Sequence, residues 1–186
     1  MKAILLLLSL MGFWQQNPMP MGLLSSRASL AVRSDVSAEL LLDKNQAEKI
    51  QASLQKVGDI RVTNVQGGSL PVLDQLDETI KPILTDDQWK RLTQIWIQYE
   101  GPFVLQSAPI VADLELSPDT QKEVAKAIGA YRGFWTREIQ KVRKTSDLDH
   151  IKREAQKTGR KLLGLLSPAQ RKKFSEMEGP KFRFQP

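Results

Sequence analysis

Along most of the chain, apolar residues return every three or four positions, the spacing that gathers them on one face of an α-helix. Ile50, Leu54 and Val57 form one such stripe, ended by Gly58. Trp89, Leu92, Ile95, Trp96 and Tyr99 form a second, closed by Gly101-Pro102. Val124, Ile128, Tyr131, Trp135, Ile139 and Val142 form a longer third. Leu148, Ile151, Ala155, Leu162 and Leu166 follow, with Ser146 as a candidate cap, and Phe174 and Met177 lie in a last run stopped by Gly179-Pro180. Gly then Pro just past a periodic run stops a helix: Gly accepts the left-handed conformation and Pro cannot continue the ladder. Leu70–Leu84 is helical in pattern but carries Pro82, which predicts an end or a kink near Lys81. No segment alternates convincingly as a half-buried strand does. Asp59–Gly68 comes nearest and reads as a loop. The pattern predicts an all-α fold of antiparallel helical hairpins.

The helix starts repeat one device. In Leu84-Thr85-Asp86-Asp87-Gln88, Thr85 is placed to accept the backbone N–H of Gln88, and the Gln88 side chain to accept that of Thr85. This capping box satisfies two donors that the first turn leaves unpaired. Leu84 and Trp89 have the spacing of a hydrophobic staple, and the two Asp sit where the helix dipole favours negative charge. Leu166, Ser167 and Gln170 form the same box with Pro168 at the first helical position. Asp43 and Gln46 form it with Asp as the cap. Ser117 keeps the cap and Pro118, but Thr120 stands where Gln is expected, which predicts a weaker box.

These starts recur in order. Cap, helix, loop, helix and cap run from Leu42 to Leu84 and again from Leu116 to Leu166, each unit closing on Glu-Gly-Pro. The order predicts two tandem repeats of a capped helix pair, an internal duplication over roughly 40–105 and 114–184. The expected organisation is 1–28 signal peptide, 29–39 linker, 40–105 first repeat and 106–186 second repeat.

The signal peptide rests on Met1-Lys2 followed by the apolar run Ala3–Phe13, too short for the roughly 20 residues a bilayer span needs. Two small-residue sites follow, Ser26-Arg27-Ala28 and Ser29-Leu30-Ala31, and the residues do not choose between them. Export to the periplasm or beyond is expected, with no stable membrane insertion after removal of the signal. The chain has no cysteine, so packing must replace disulfides. Charge is uneven: residues 106–186 hold 17 Lys/Arg against 10 Asp/Glu, net +7, while residues 29–105 are net −3. A basic half suits anionic partners or is a solvated helix face.

Candidate chemistry is sparse. His150 is the one histidine, so no His/Cys cluster exists for a transition metal, and no Ser-His-Asp set is available without it. Gly67-Gly68 lacks the lysine spacing of a phosphate loop. No enzyme activity, metal or cofactor is expected. Basic residues alternate with apolar ones as on any amphipathic helix, so no nucleic-acid partner is expected either. Ile97 and Phe134 fall off the core stripes and are candidates for an exposed apolar surface, rimmed by Arg132, Arg137, Lys141 and Arg143. That surface is the candidate client-binding site. Phe182 and Phe184 in the last residues suggest a tail that docks.

The Leu-Thr-x-x-Gln string at Leu84–Gln88, and its Ser variant at Leu166–Gln170, resemble the LTxxQ motif of the periplasmic Spy/CpxP-like proteins. The wider pattern is similar to duplicated, exported helical proteins familiar from planctomycetes. The resemblance implies a helical periplasmic protein. Spy-like members are dimeric, cradle-shaped chaperones that act without ATP, CpxP-like members restrain an envelope-stress sensor kinase, and related sequences are metal-resistance sensors. Two motif pairs in one chain, where short members hold one, leave the oligomeric state open. The expected function is an ATP-independent envelope chaperone or stress-response protein that binds unfolded or envelope proteins. The alternative is a structural or regulatory protein with one dedicated envelope partner.

Overall fold

A computed structural model describes residues 26–63, 69–142 and 148–185. Among them the chain is all α, with nine α-helices and no strand. The helices are α1 (Arg27–Ala31), α2 (Ser34–Glu39), α3 (Lys44–Thr63), α4 (Ser69–Ile80), α5 (Asp86–Glu100), α6 (Ala108–Asp113), α7 (Pro118–Ile139), α8 (Asp149–Gly164) and α9 (Pro168–Glu178). Two compact units result, one of Leu24–Trp96 with Pro180–Pro186 and one containing Ile97–Gly179.

Most helix ends follow from local chemistry. α4 stops at Ile80, and Lys81–Ile83, with Pro82 inside it, forms a 3-10 turn. α5 stops at Glu100, where Gly101 takes φ +59°, and Gly179 takes φ +61° after α9. One end differs from the expectation. α3 does not stop at Gly58 but continues to Thr63, so the first residues of the expected Asp59–Gly68 loop are helical. A lone Gly inside a helix costs only about 1 kcal/mol relative to Ala, and here no Pro follows it. Residues 64–68 and the candidate cap Ser146 lie outside the described residues.

In the first unit, α1 belongs to the core. Ser26 caps it by accepting the Ser29 N–H at 3.1 Å. The Arg27 backbone N–H donates to Asp77 Oδ1 at 2.9 Å, and Arg27 Nη1 to Asp77 Oδ2 at 3.0 Å. The same guanidinium lies 4.8 Å from the Trp89 ring centroid and 4.4 Å from that of Trp96. Two aromatic faces and a carboxylate thus compensate a cation held at 5% exposure. A leader ending at residue 28 would carry Ser26 and Arg27 out of this packing. One ending at Ala31 would carry off all of α1.

The capping devices join helices as well as start them. The box of Asp43 and Gln46 closes at 3.2 and 2.8 Å, and that of Thr85 and Gln88 at 2.9 and 3.2 Å. In each box the glutamine uses only its carbonyl oxygen, leaving its NH2 group free to donate elsewhere. Gln46 Nε2 donates to the Ile83 carbonyl at 2.9 Å and to Gln88 Oε1 at 2.8 Å. Gln88 Nε2 donates to the Leu40 carbonyl at 3.1 Å and to Gln46 Oε1 at 3.1 Å. The two amides clasp each other, and each ties down a carbonyl beside the other's helix start.

The second unit holds part of the same geometry. Ser167 and Gln170 form a full capping box at 3.0 and 3.2 Å, and Gln170 Nε2 donates to the Leu114 carbonyl at 2.9 Å. Leu114 ends α6 as Leu40 ends α2. Glu115 (φ +50°) follows it as Leu41 (φ +51°) follows Leu40. The Leu116 N–H donates to the Val111 carbonyl, and the Leu42 N–H to that of Ser37, both at 3.1 Å. At Ser117 the cap forms at 3.2 Å, but Thr120 is too short for a reciprocal clasp and bonds the Ser117 hydroxyl instead, 3.0 Å away.

Candidate functional site

In the second unit α7 packs on α8, and Val124, Ile128 and Tyr131 of the one and Ile151, Ala155 and Leu162 of the other are buried. An aromatic series leads outward from that core. The Phe103 and Tyr131 centroids are 5.1 Å apart, those of Tyr131 and Phe134 are 6.4 Å apart, and the His150 ring meets Phe134 edge-on at 6.0 Å. Phe134 and Trp135 are half-buried and also pack against Val142, Leu148 and Ile151.

Phe134 opens into a groove of about 590 Å³, lined otherwise by His150, Arg153, Glu154, Gln156, Lys157 and Arg160 from α8. Four of these, His150, Arg153, Lys157 and Arg160, are spaced three, four and three residues apart and so share one face of the helix. Lys157 is 3.5 Å from Glu154. Arg153 and Arg160 are exposed and form no ion pair among the described residues. At one end Glu138 bridges Lys141 at 2.7 Å and His150 at 3.2 Å. The Lys141 hydrogen bond is the main reason the Glu138 carboxyl lies below its usual range. Beside Phe134, Tyr131 is 2% exposed and its hydroxyl has no hydrogen-bond partner among the described residues. Burial, and then the Glu154 charge, push its pKa up to about 12. A smaller groove of about 460 Å³ in the first unit, lined by residues such as Val32, Glu48 and Gln51, has no Lys or Arg on its walls.

The residues expected to bind clients do not converge. Ile97 is 1% exposed and is a core side chain, not part of a surface. α5 buries Ile97 as well as Leu92, Ile95 and Trp96, so its buried face is wider than the single apolar stripe expected. Arg132 lies two residues before Phe134, roughly 200° round the helix. It donates to Gln106 Oε1 at 2.7 Å, and burial holds its pKa below the usual arginine value. Arg137 on α7 and Lys141 in the turn after it are exposed and line no groove with Phe134, while Arg143 lies outside the described residues. Phe134 alone of the expected set opens into the groove. The cations beside it come from α8, and sequence reasoning missed them, although the spacing of His150, Arg153, Lys157 and Arg160 was legible.

This arrangement can hold a ligand by apolar contact and by attraction to negative charge. Among the described residues no three His, Cys, Asp or Glu side chains stand together to hold a metal ion, and no helix is long and apolar enough to cross a membrane. Comparison with protein-family models, with curated proteins and with solved structures finds no match to this chain.

Proposed function

We propose that this chain is an exported, ATP-independent chaperone or stress-response protein of the LTxxQ type, built as two tandem copies of a capped helix pair. It captures unfolded or envelope proteins reversibly and turns over no substrate. The observation that carries this reading is the α7–α8 groove, where the half-buried Phe134 stands beside two exposed guanidinium groups that form no ion pair among the described residues. An aromatic side chain beside long, exposed cationic ones favours weak, adaptable contact over a single fixed ligand. The recurrence of the α2 and α6 helix ends, and of the Gln88 and Gln170 bonds to the carbonyls there, supports the duplication. The apolar run Ala3–Phe13 supports export.

The test is aggregation suppression with a chemically denatured client at low and high salt. Suppression that weakens as salt screens the rim is the expected result. Failure to suppress at either salt, with the chaperone in several-fold excess, would dismiss chaperone activity.

A further inference from the structure

The first unit holds a second feature that the groove does not use. Residues 180–185 lie outside any helix and alternate in burial from Lys181 on: Lys181, Arg183 and Gln185 are exposed, while Phe182 and Phe184 are half-buried. The two rings meet edge-on at 4.8 Å. What grips this segment is a fork of two side chains. Arg33 donates from Nε to Asp35 Oδ1 at 3.0 Å and from Nη2 to Asp35 Oδ2 at 2.9 Å. The pair then reads both backbone groups of a single residue. The Gln185 N–H donates to Asp35 Oδ2 at 2.8 Å, and its carbonyl accepts from Arg33 Nη2 at 3.1 Å. The Arg33 guanidinium also stands 5.8 Å from the Phe184 ring centroid, and Arg91 Nη1 holds the Pro180 carbonyl at 2.8 Å.

The fork holds itself together without help from the segment: the two Arg33–Asp35 bonds and the Val36 N–H, which Asp35 Oδ1 accepts at 2.9 Å, lie within residues 33–36 of the chain. These two bonds to the segment go to backbone, which any sequence supplies. Selectivity comes from the alternating rings. We propose that Arg33 and Asp35 form a peptide-recognition site for an extended segment of another polypeptide with aromatic residues at alternate positions, and that residues 180–185 are its displaceable occupant in cis. The segment then acts as a strap: while docked it closes the site, and a competing segment must lift it. The proposal stands apart from the groove reading, which concerns the other unit.

The test uses the full chain and a labelled peptide of sequence Lys-Phe-Arg-Phe-Gln-Pro. In the Phe182→Ala/Phe184→Ala variant the strap loses its anchors and the peptide binds by fluorescence anisotropy, at least tenfold more tightly than to the wild-type chain. Adding Asp35→Asn turns an NH2 donor toward the peptide N–H and weakens binding about tenfold or more, the worth of a charge-assisted bond. A folded double variant that binds no better than wild type overturns the proposal, as does binding indifferent to Asp35→Asn. Should the variants unfold, the wild-type chain still decides. Excess peptide is expected to accelerate hydrogen exchange at the Gln185 amide, and no acceleration refutes displacement. Self-association of the wild type that Asp35→Asn abolishes would assign the site to a second copy's tail, against the proposal.

Discussion

Replacing Gln88 by Ala should cost far more than replacing the cap it serves. The Thr85 hydroxyl makes one capping bond at an exposed helix start, so Thr85→Ala should cost about 1 kcal/mol. The Gln88 side chain makes four hydrogen bonds: it accepts from the Thr85 N–H and Gln46 Nε2, and donates to the Leu40 carbonyl and Gln46 Oε1. Each bond contributes on the order of 1 kcal/mol net, and water replaces part of that because the site is half-buried. A loss of about 2–3 kcal/mol follows. Gln170, which makes its box and one further bond to Leu114, should fall between the two. Urea unfolding gives the free energies, and a double-mutant cycle with Gln46→Ala should return a coupling of about 1 kcal/mol. A Gln88→Ala variant no less stable than Thr85→Ala would refute the clasp and leave the motif a helix start alone.

Three further outcomes follow. Ile97→Ala should destabilise the protein by about 2–5 kcal/mol in thermal or urea unfolding, as for any fully buried branched side chain; a cost under 0.5 kcal/mol would place it on the surface. Burial acts to raise the Asp35 carboxyl, but the Arg33 fork and the Gln185 and Val36 N–H groups outweigh it and hold the pKa below the ordinary value. The stability it contributes is therefore present above the unfolded carboxyl range and is lost as pH falls through the lowered folded value. Asp35→Asn should flatten the stability profile there. Finally, under the proposed export, mass spectrometry of the mature N-terminus should find Ser26 and Arg27 retained, and a mature chain beginning at Ser29 or later would show that α1 is dispensable.

The helices and their starts were legible because caps, stops and apolar period are local signals. Thr85, Gln88, Ser167 and Gln170 sit in boxes that four or five residues are enough to specify. What the glutamines do with their second amide group was not legible, since the Leu40 and Leu114 carbonyls lie far away in sequence. The extension of α3 through Gly58 reflects the same limit, because a single Gly biases a helix end without deciding it. The binding surface was the least legible part. Distance from an apolar stripe placed Ile97 outside, but the buried face of α5 is wider than that stripe. It put the rim at Arg132, Arg137, Lys141 and Arg143, while Arg153 and Arg160, which form no ion pair among the described residues, stand on α8.

The central claim, capture at the α7–α8 groove, is tested most directly by comparing aggregation suppression by the wild type and by Arg153→Glu/Arg160→Glu. Both side chains are exposed and outside the core, so the variant should fold with unchanged helicity. Loss of most of the suppression at low salt is the predicted result. Suppression equal to the wild type by a folded variant would contradict it and move the search for a client surface elsewhere on the chain.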